Sequence, residues 1–482
     1  MAKLFGTDGI RGVAGEAPLD ARTIFAVGRA VGEWLRGRPF DSSRDAGLAQ
    51  GNKTLRVLLG EDTRESSPWV TSYLAGGLKT AGVEAVSAGV LPTPGVAELV
   101  RAQGFTAGVV VSASHNPYRD NGIKVISSAG MKLPDEVEAE IEERIHSLLR
   151  EGSASAEAPA YAKAPAGVSA DKPAVDMALA EEYVRLLREA VQDELPGGLA
   201  GLHLVVDCAN GAAARVAPRL LRELGAAVTA IHASPDGRNI NEGCGALHPE
   251  VVAAKVKEIR ADIGVAFDGD ADRALFATAS GRVVNGDGVL LLAARRMKEQ
   301  GRLKGSAVVG TSMSNLGLEV ALKQEGLNLA RAAVGDRYVL EEMLRRGANL
   351  GGEQSGHIIF LDDAPTGDGL LTALKVLTVV RATGKTLEEL TAGLKVFPQT
   401  IRNVHVREKR PLEQLPAVQQ AIGEAEAALA PLSAGQVSRG RVVVRYSGTE
   451  PLLRVMVEAE TEEMVEKWTG KLCAAVQREL GD

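Results

Sequence analysis

Apolar residues recur along this chain in two alternating rhythms. Ala107-Gly108-Val109-Val110-Val111 is an unbroken β-branched run, the pattern of a strand buried on both faces. Shorter apolar runs predict further strands at 55–59, 83–88, 202–206, 227–231, 263–267, 307–309 and 358–361. Between them the spacing widens to helical. Ile24, Val27, Val31 and Leu35 mark one face of a helix over 19–36, and Val137, Ile141, Ile145 and Leu148 mark another. Helices are also predicted at 68–81, 178–191, 212–224 and 316–324. Strand and helix in alternation predict mostly parallel α/β sheets. From 399 the rhythm changes to strand 402–406, helix 412–429, strands 441–445 and 453–458 and a closing helix, a small α+β unit.

Two aperiodic stretches interrupt this pattern. Residues 39–52 are rich in Gly, Ser and Asp and read as a surface loop. Residues 151–172, crowded with Ala, Ser, Pro and Gly, read as a linker and a domain boundary. A chain of 482 residues is too long for one core, and three or four domains are expected.

The formal charge of -7 argues against nucleic acid or an anionic membrane surface as the main partner, because both require a basic footprint. An anionic ligand would instead need local clusters of Arg and Lys. Cys208, Cys244 and Cys473 are widely spaced and lack metal-ligand spacing, so reduced thiols and a cytoplasmic location are expected. The opening residues turn polar too early for a signal peptide, and no apolar run reaches membrane-spanning length.

The candidate chemistry sits at strand ends. After the 107–111 run come Ser112-Ala113-Ser114-His115-Asn116-Pro117, where Pro117 keeps a helix from starting and leaves the Ser114 hydroxyl on a loop beside an imidazole. Lys124 supplies a cation ten residues on. Alone, Ser beside His is also what an ordinary turn contains.

The 263–267 strand delivers Asp268, Asp270 and Asp272, with Gly269 and Ala271 between them. Three acids so close repel one another unless a cation sits among them, and all-oxygen ligation suits Mg²⁺ or another hard divalent ion. An EF-hand loop beginning at Asp268 would need Gly and Glu where Arg273 and Ala279 stand, so that reading fails. An aspartyl-nucleophile phosphatase would have Thr or Val at the place of Asp272.

Three further loops fit a phosphosugar. Phe5-Gly6-Thr7-Asp8-Gly9-Ile10-Arg11 is a Gly-punctuated turn that brings Arg11 near small residues. Glu353 and Ser355 lie two apart, suited to neighbouring sugar hydroxyls, with His357 as a proton carrier. Arg445, Ser447, Gly448 and Thr449 combine a guanidinium, hydroxyls and a tight turn, a set that grips phosphate. A serine nucleophile beside three carboxylates suits phosphoryl transfer better than acyl transfer, which needs an oxyanion hole and no such negative charge. A phosphoryl group on Ser114 would be offset by the metal, Arg273 and Lys124.

In this order, Ser-Ala-Ser-His-Asn-Pro, Asp-Gly-Asp-Ala-Asp-Arg, Gly-Glu-Gln-Ser-Gly-His and Arg-Tyr-Ser-Gly-Thr-Glu-Pro resemble the α-D-phosphohexomutase superfamily over essentially the whole chain. The opening Phe-Gly-Thr-Asp-Gly-Ile-Arg-Gly and the Thr-Glu-Pro ending look most like the bacterial branch acting on glucosamine phosphates. The resemblance implies three consecutive α/β domains with mixed, mostly parallel sheets and a C-terminal α+β domain, arranged around a central cleft. Their expected bounds are 1–155, 174–272, 273–392 and 398–482.

It further implies Ser114 as a phosphoserine, with Asp268, Asp270 and Asp272 as Mg²⁺ ligands alongside it. Arg11 and Lys124 would flank the transferring group, with His115, Lys124 or His357 as acid or base. Glu353 and Ser355 would read the sugar, and Arg273 and the 445–449 loop would bind the substrate. Glucosamine 1,6-bisphosphate is the implied intermediate and activator, a small phosphosugar the implied partner, and a monomer or homodimer the implied assembly. A phosphomannomutase or phosphoglucomutase, or a non-catalytic sugar-phosphate sensor, is the alternative. Ser66-Ser67-Pro68 and a long 151–172 stretch depart from the family's usual pattern.

Overall fold

The computed structural model describes residues 3–6, 8–37, 54–151, 173–431, 438–447 and 451–481. The expected 39–52 loop and all but the first residue of the 151–172 linker lie outside the described residues. The chain forms two compact units: Met1–Ser312 with Ala332–Thr391, and Met313–Arg331 with Ala392–Asp482.

In the first unit, β1 (Phe5–Gly6), β2 (Gly9–Val13), β3 (Arg56–Glu61), β4 (Glu84–Val90), β5 (Ala107–Val111) and β6 (Asp120–Ser127) make a six-stranded sheet of order β1-β2-β6-β5-β3-β4. β3 lies parallel to β4 and β5, whereas β6 runs antiparallel to β5 and β2, so the sheet is mixed. β5 is apolar throughout because both of its faces are covered. Val109 and Val111 join the core built with Val27, Leu74 and Ile145 from the helices Ala21–Gly37, Ser67–Thr80 and Asp135–Glu151. On the other side Gly108 lies against Val96 and Val100 of the helix Thr93–Ala102, so close that a Cβ there would come within 2.8 Å of Val100.

A second sheet holds β7 (His203–Asp207), β8 (Ala227–Ile231), β9 (Ile263–Phe267), β10 (Ala274–Thr278) and β11 (Val283–Val284) in the order β11-β10-β9-β7-β8. β7 is parallel to β8 and β9, and β10 turns back antiparallel to β9. The tight connection between β9 and β10 is the acidic 268–272 segment. Farther along come β12 (Ala307–Thr311), β13 (Asn328–Ala332), β14 (Leu350–Gly352) and β15 (Ile358–Phe360), of which β12, β14 and β15 are neighbours in that order in a third sheet.

The second unit contains the helix Leu316–Gln324 and a three-stranded antiparallel sheet of β16 (Gln399–His405), β17 (Gly440–Tyr446) and β18 (Leu452–Ala459) in the order β16-β18-β17. One face of that sheet packs on the helices Pro416–Leu429 and Glu462–Leu480 through Val455, Val457, Val418, Leu472 and Val476.

The strands at 227–231 and 263–267 and the helix at 316–324 fall where the apolar pattern puts them. Three placements differ. The segment bearing Lys124 is strand β6 rather than a continuation of the Ser114 loop, because Ile123 and Val125 bury one face while Lys124 takes the other. The Gly-rich opening is a short hairpin, β1 and β2, rather than a turn alone. The helix Gly369–Thr383, buried nearly all round, shows too little amphipathic contrast to be read from periodicity.

Candidate active site

Ser114 sits three residues past the end of β5 in a left-handed backbone conformation (φ 51°) that is strained for a residue with a side chain. The surroundings hold it there. Its amide donates to Ser112 Oγ at 2.9 Å, and its carbonyl accepts from Asn241 Nδ2 at 2.9 Å and Arg64 Nη2 at 3.2 Å. Both donors also reach the Asn116 carbonyl, at 3.1 and 2.6 Å. Arg64 is buried and ion-paired with Asp62, whose carboxylate also accepts from Ser67 Oγ at 2.9 Å.

The Ser114 hydroxyl donates to Asp268 Oδ2 at 2.7 Å, across 154 residues of sequence. This approach requires Gly269, where a Cβ would lie 2.6 Å from the Ser114 carbonyl oxygen. Ala271, at φ 57°, tightens the turn so that Asp268, Asp270 and Asp272 each point an oxygen into one space, all within 4.8 Å of one another.

Each carboxylate has a different neighbourhood. Asp270 Oδ2 accepts from Thr93 Oγ1 at 2.6 Å and Lys124 Nζ at 3.0 Å. Asp272 Oδ2 lies 3.5 Å from His357 Nδ1, while His357 Nε2 accepts from the Gly367 amide at 3.1 Å. Asp268 Oδ1 accepts from the Arg273 amide at 3.2 Å. Burial, then the neighbouring Asp272 and Asp270 charges, push the Asp268 carboxyl well above the usual range. Burial acts on Asp272 in the same direction, but His357 and Arg273 outweigh it and hold that carboxyl low.

The residues fit a hard divalent ion. Asp270 Oδ1 and Asp272 Oδ1 are buried and accept no hydrogen bond among the described residues. Octahedral Mg²⁺ with oxygens at about 2.1 Å would draw such atoms to roughly 3 Å apart, a modest contraction of the arrangement present.

Cations ring the serine. Burial opposes a charge on Lys124, yet Asp270 and Asp8 (3.2 Å) raise its pKa, so it remains an ammonium. Asp8 also pairs with Arg11 and with Lys132 at 2.5 Å. Burial would raise it, but Lys124, Lys132 and Arg11 together hold it well below the carboxylate range. Arg11 Nη1 reaches Asn116 Oδ1 at 3.3 Å. His115 Nδ1 lies 3.5 Å from Ser114 Oγ and 3.1 Å from Arg273 Nη1. Burial first, then the Arg273 and Arg11 charges, push that imidazole below 6.5.

Glu353 and Ser355 lie on the turn between β14 and β15. Ser355 is exposed and donates to Glu353 Oε2 at 3.3 Å, and Glu353 Oε1 accepts from the Gly335 amide at 2.8 Å. Gly356, at φ 95°, passes its carbonyl to the Ala274 amide at 3.1 Å, which ties this turn to the strand after the acidic segment. Arg445 and Ser447 belong to the second unit, where Ser447 accepts from Arg454 at 3.5 Å. Gly448 and Thr449 lie outside the described residues.

Asp8, Arg64, Thr93 and Asn241 are members of the site that sequence reasoning did not single out. Arg64 had a signal, since it follows β3, the parallel neighbour of the Ser114 strand, and strand ends carry ligand residues in such sheets. Thr93 and Asn241 had none.

Comparison with known proteins agrees with this geometry. Phosphoglucomutase/phosphomannomutase alpha/beta/alpha domains I, II and III match residues 2–151, 181–281 and 285–397, and the C-terminal domain of the same family matches 402–475. The chain is 52% identical to a phosphoglucosamine mutase of Koribacter versatilis over all of this chain and 98% of that one. It is 46% identical to a phosphoglucosamine mutase of Deinococcus radiodurans over 95% and 94%. Among solved structures, a phosphoglucomutase/phosphomannomutase family protein of Burkholderia thailandensis superposes with a TM-score of 0.74 at 25% identity, covering all of both chains.

Proposed function

The chain belongs to the phosphoglucomutase/phosphomannomutase family and is a phosphosugar mutase, and on that premise we propose that it interconverts glucosamine 6-phosphate and glucosamine 1-phosphate through phosphorylated Ser114. The observation that carries the chemistry is the Ser114 hydroxyl hydrogen-bonded to Asp268, within the three-aspartate cluster. The choice of sugar is supported by full-length relatives that bear the name phosphoglucosamine mutase.

In this reading phosphorylated Ser114 gives its phosphoryl group to the sugar 1-hydroxyl. The phosphorus–Oγ bond breaks, a bond to the sugar oxygen forms, and the hydroxyl proton passes to a base. Glucosamine 1,6-bisphosphate then turns end for end and returns its 6-phosphoryl group to Ser114. Mg²⁺ held by Asp268, Asp270, Asp272 and the seryl phosphate would neutralise charge on the transferring group. Arg11, Lys124 and Arg273 supply further positive charge.

His115, whose Nδ1 meets Arg273 Nη1 and whose neutral form burial favours, suits the base better than Lys124, which its carboxylate partners keep charged. His357 has both ring nitrogens engaged, so we assign it to holding Asp272 rather than to proton transfer. Glu353 and Ser355 would meet the sugar hydroxyls, and Arg445, Ser447, Gly448 and Thr449 the distal phosphate. Four domains at 1–155, 174–272, 273–392 and 398–482 and a cytoplasmic monomer or homodimer complete the proposal. Among the described residues no helix is long and apolar enough to cross a membrane.

The test is a side-by-side assay of glucosamine, glucose and mannose 6-phosphates with Mg²⁺ and a trace of bisphosphate, together with intact-mass mapping. We expect the highest kcat/KM with glucosamine 6-phosphate and a phosphoryl adduct on Ser114. Ser114→Ala should still bind substrate but not turn it over. A preference for mannose or glucose phosphate would move the substrate assignment within the family, and a near-normal rate for Ser114→Ala would remove the central residue.

A further inference from the structure

A second group of convergent donors lies in the first unit, away from the three aspartates. Asp207 ends β7, His232 follows β8, and Cys244 lies in the loop before Pro249–Ile259. A carboxylate oxygen, an imidazole nitrogen and the thiol sulfur of these residues lie within 4.8 Å of one another. Asp207 and Cys244 are fully buried, whereas His232 is about one-third exposed, so an ion has a way in.

The polar contacts there are incomplete. Asp207 accepts from the amides of Ala209 and Gly245 at 2.9 and 3.0 Å, which aims its carboxylate but uses one lone pair on each oxygen. His232 Nδ1 lies 3.1 Å from Asp207 Oδ1 yet is buried without a hydrogen bond among the described residues. The backbone of His232 is held in the left-handed region (φ 45°), its carbonyl accepting from the Asn210 amide at 2.7 Å. A strained backbone that brings an imidazole nitrogen against a carboxylate and beside a thiol is an arrangement a cation would complete.

We propose that Asp207, His232 and Cys244 bind one zinc-class divalent ion, with a fourth position open to water. Sulfur, imidazole and carboxylate together select a borderline-soft ion over Mg²⁺. Zn–S near 2.3 Å and Zn–N near 2.0 Å would set the donors about 3.5 Å apart, between the 3.1 Å that separates His232 Nδ1 from Asp207 Oδ1 and the 4.8 Å limit of the cluster. The ion would fasten the 232–245 segment to β7. That segment carries Asn241, whose side-chain amide donates to the Ser114 carbonyl at 2.9 Å and whose own backbone N–H donates to the Ala209 carbonyl at 2.9 Å. The ion would thereby steady one of the donors that hold the serine.

The test uses the full chain carrying Asp268→Asn to silence the acidic cluster, stripped with a chelator and titrated with Zn²⁺ by calorimetry and with Co²⁺ by absorption. We expect one tight equivalent of Zn²⁺, a rise in melting temperature on binding, and a sulfur-to-cobalt charge-transfer band in the near ultraviolet. Cys244→Ser should abolish the band. His232→Gln, at a position about one-third exposed that can be changed without unfolding the core, should lose the tight equivalent and the thermal shift. Zinc uptake unchanged by His232→Gln, a band surviving in Cys244→Ser, or no uptake by the parent would overturn the proposal.

Discussion

At the scale of single residues, the environment of Ser114 divides labour between charge and proton. Lys124 is locked between Asp270 and Asp8, and an ammonium so paired stabilises phosphoryl oxygens rather than taking a proton. His115 has the opposite surroundings: two guanidinium groups and partial burial favour its neutral form. A base must be unprotonated to act, so kcat should fall as pH drops through the His115 pKa, below 6.5. In His115→Gln we expect kcat to fall by about 10²–10⁴-fold and that acidic limb to vanish. A pH–rate profile measures both, and a limb that persists in the variant would take the role away from His115.

At the scale of elements, close approach matters more than propensity. The β9–β10 turn meets the Ser114 loop only because Gly269 has no side chain: an added Cβ would lie 2.6 Å from the Ser114 carbonyl oxygen and 2.8 Å from Asn241 Nδ2. Gly269→Ala is expected to lower stability by about 1–3 kcal/mol through overpacking. By displacing the aspartates relative to Ser114 it should also reduce kcat by on the order of 10²-fold. Thermal melts and steady-state rates on one preparation would show whether activity falls more than stability.

The helix Gly369–Thr383 offers a pH test of stability. Its N-cap, Asp368, accepts from the Leu371 amide at 2.9 Å and the Tyr183 hydroxyl at 2.8 Å, yet burial raises its carboxyl from 3.8 to about 7. The unfolded chain releases that proton near 3.8 and the folded chain keeps it to about 7. This contribution to stability is therefore full below pH 3.8 and declines as pH rises through that window. Asn keeps both the cap and the acceptor for Tyr183. Asp368→Asn should thus flatten melting temperature against pH between 4 and 7, and an unchanged slope would show that Asp368 ionises normally.

At the scale of the whole molecule, the acidic segment carries three carboxylates into the interior of the first unit. Removing divalent ions with EDTA is expected to abolish turnover while far-ultraviolet circular dichroism stays unchanged, because the cores of both units are built without these residues. Mg²⁺ should restore the rate. A rate that survives chelation would exclude a metal role for the three aspartates.

Much of this was legible in the chain. The 107–111 run, its polar ending at Ser114 and the spacing of the three aspartates pointed to the strand ends that the structure brings together, because burial on two faces and mutual repulsion leave marks on local sequence. Lys124 was recognised as a useful cation but placed on a loop. Its strand, β6, has a buried lysine where the apolar alternation would lead one to expect Val or Ile, and that interruption hid the element.

By itself, then, the sequence marked most of the buried strands and placed a serine hydroxyl and three closely spaced acids at strand ends. Only the tertiary structure decided that Thr93 holds Asp270, that Asn241 and Arg64 hold the Ser114 carbonyl, and that His357 faces Asp272. Hydrophobic periodicity is a local property, written into a few consecutive residues. A hydrogen bond between segments far apart in sequence depends on how separate elements pack, and a lone Thr or Asn looks the same in sequence whether it meets water or a buried carboxylate.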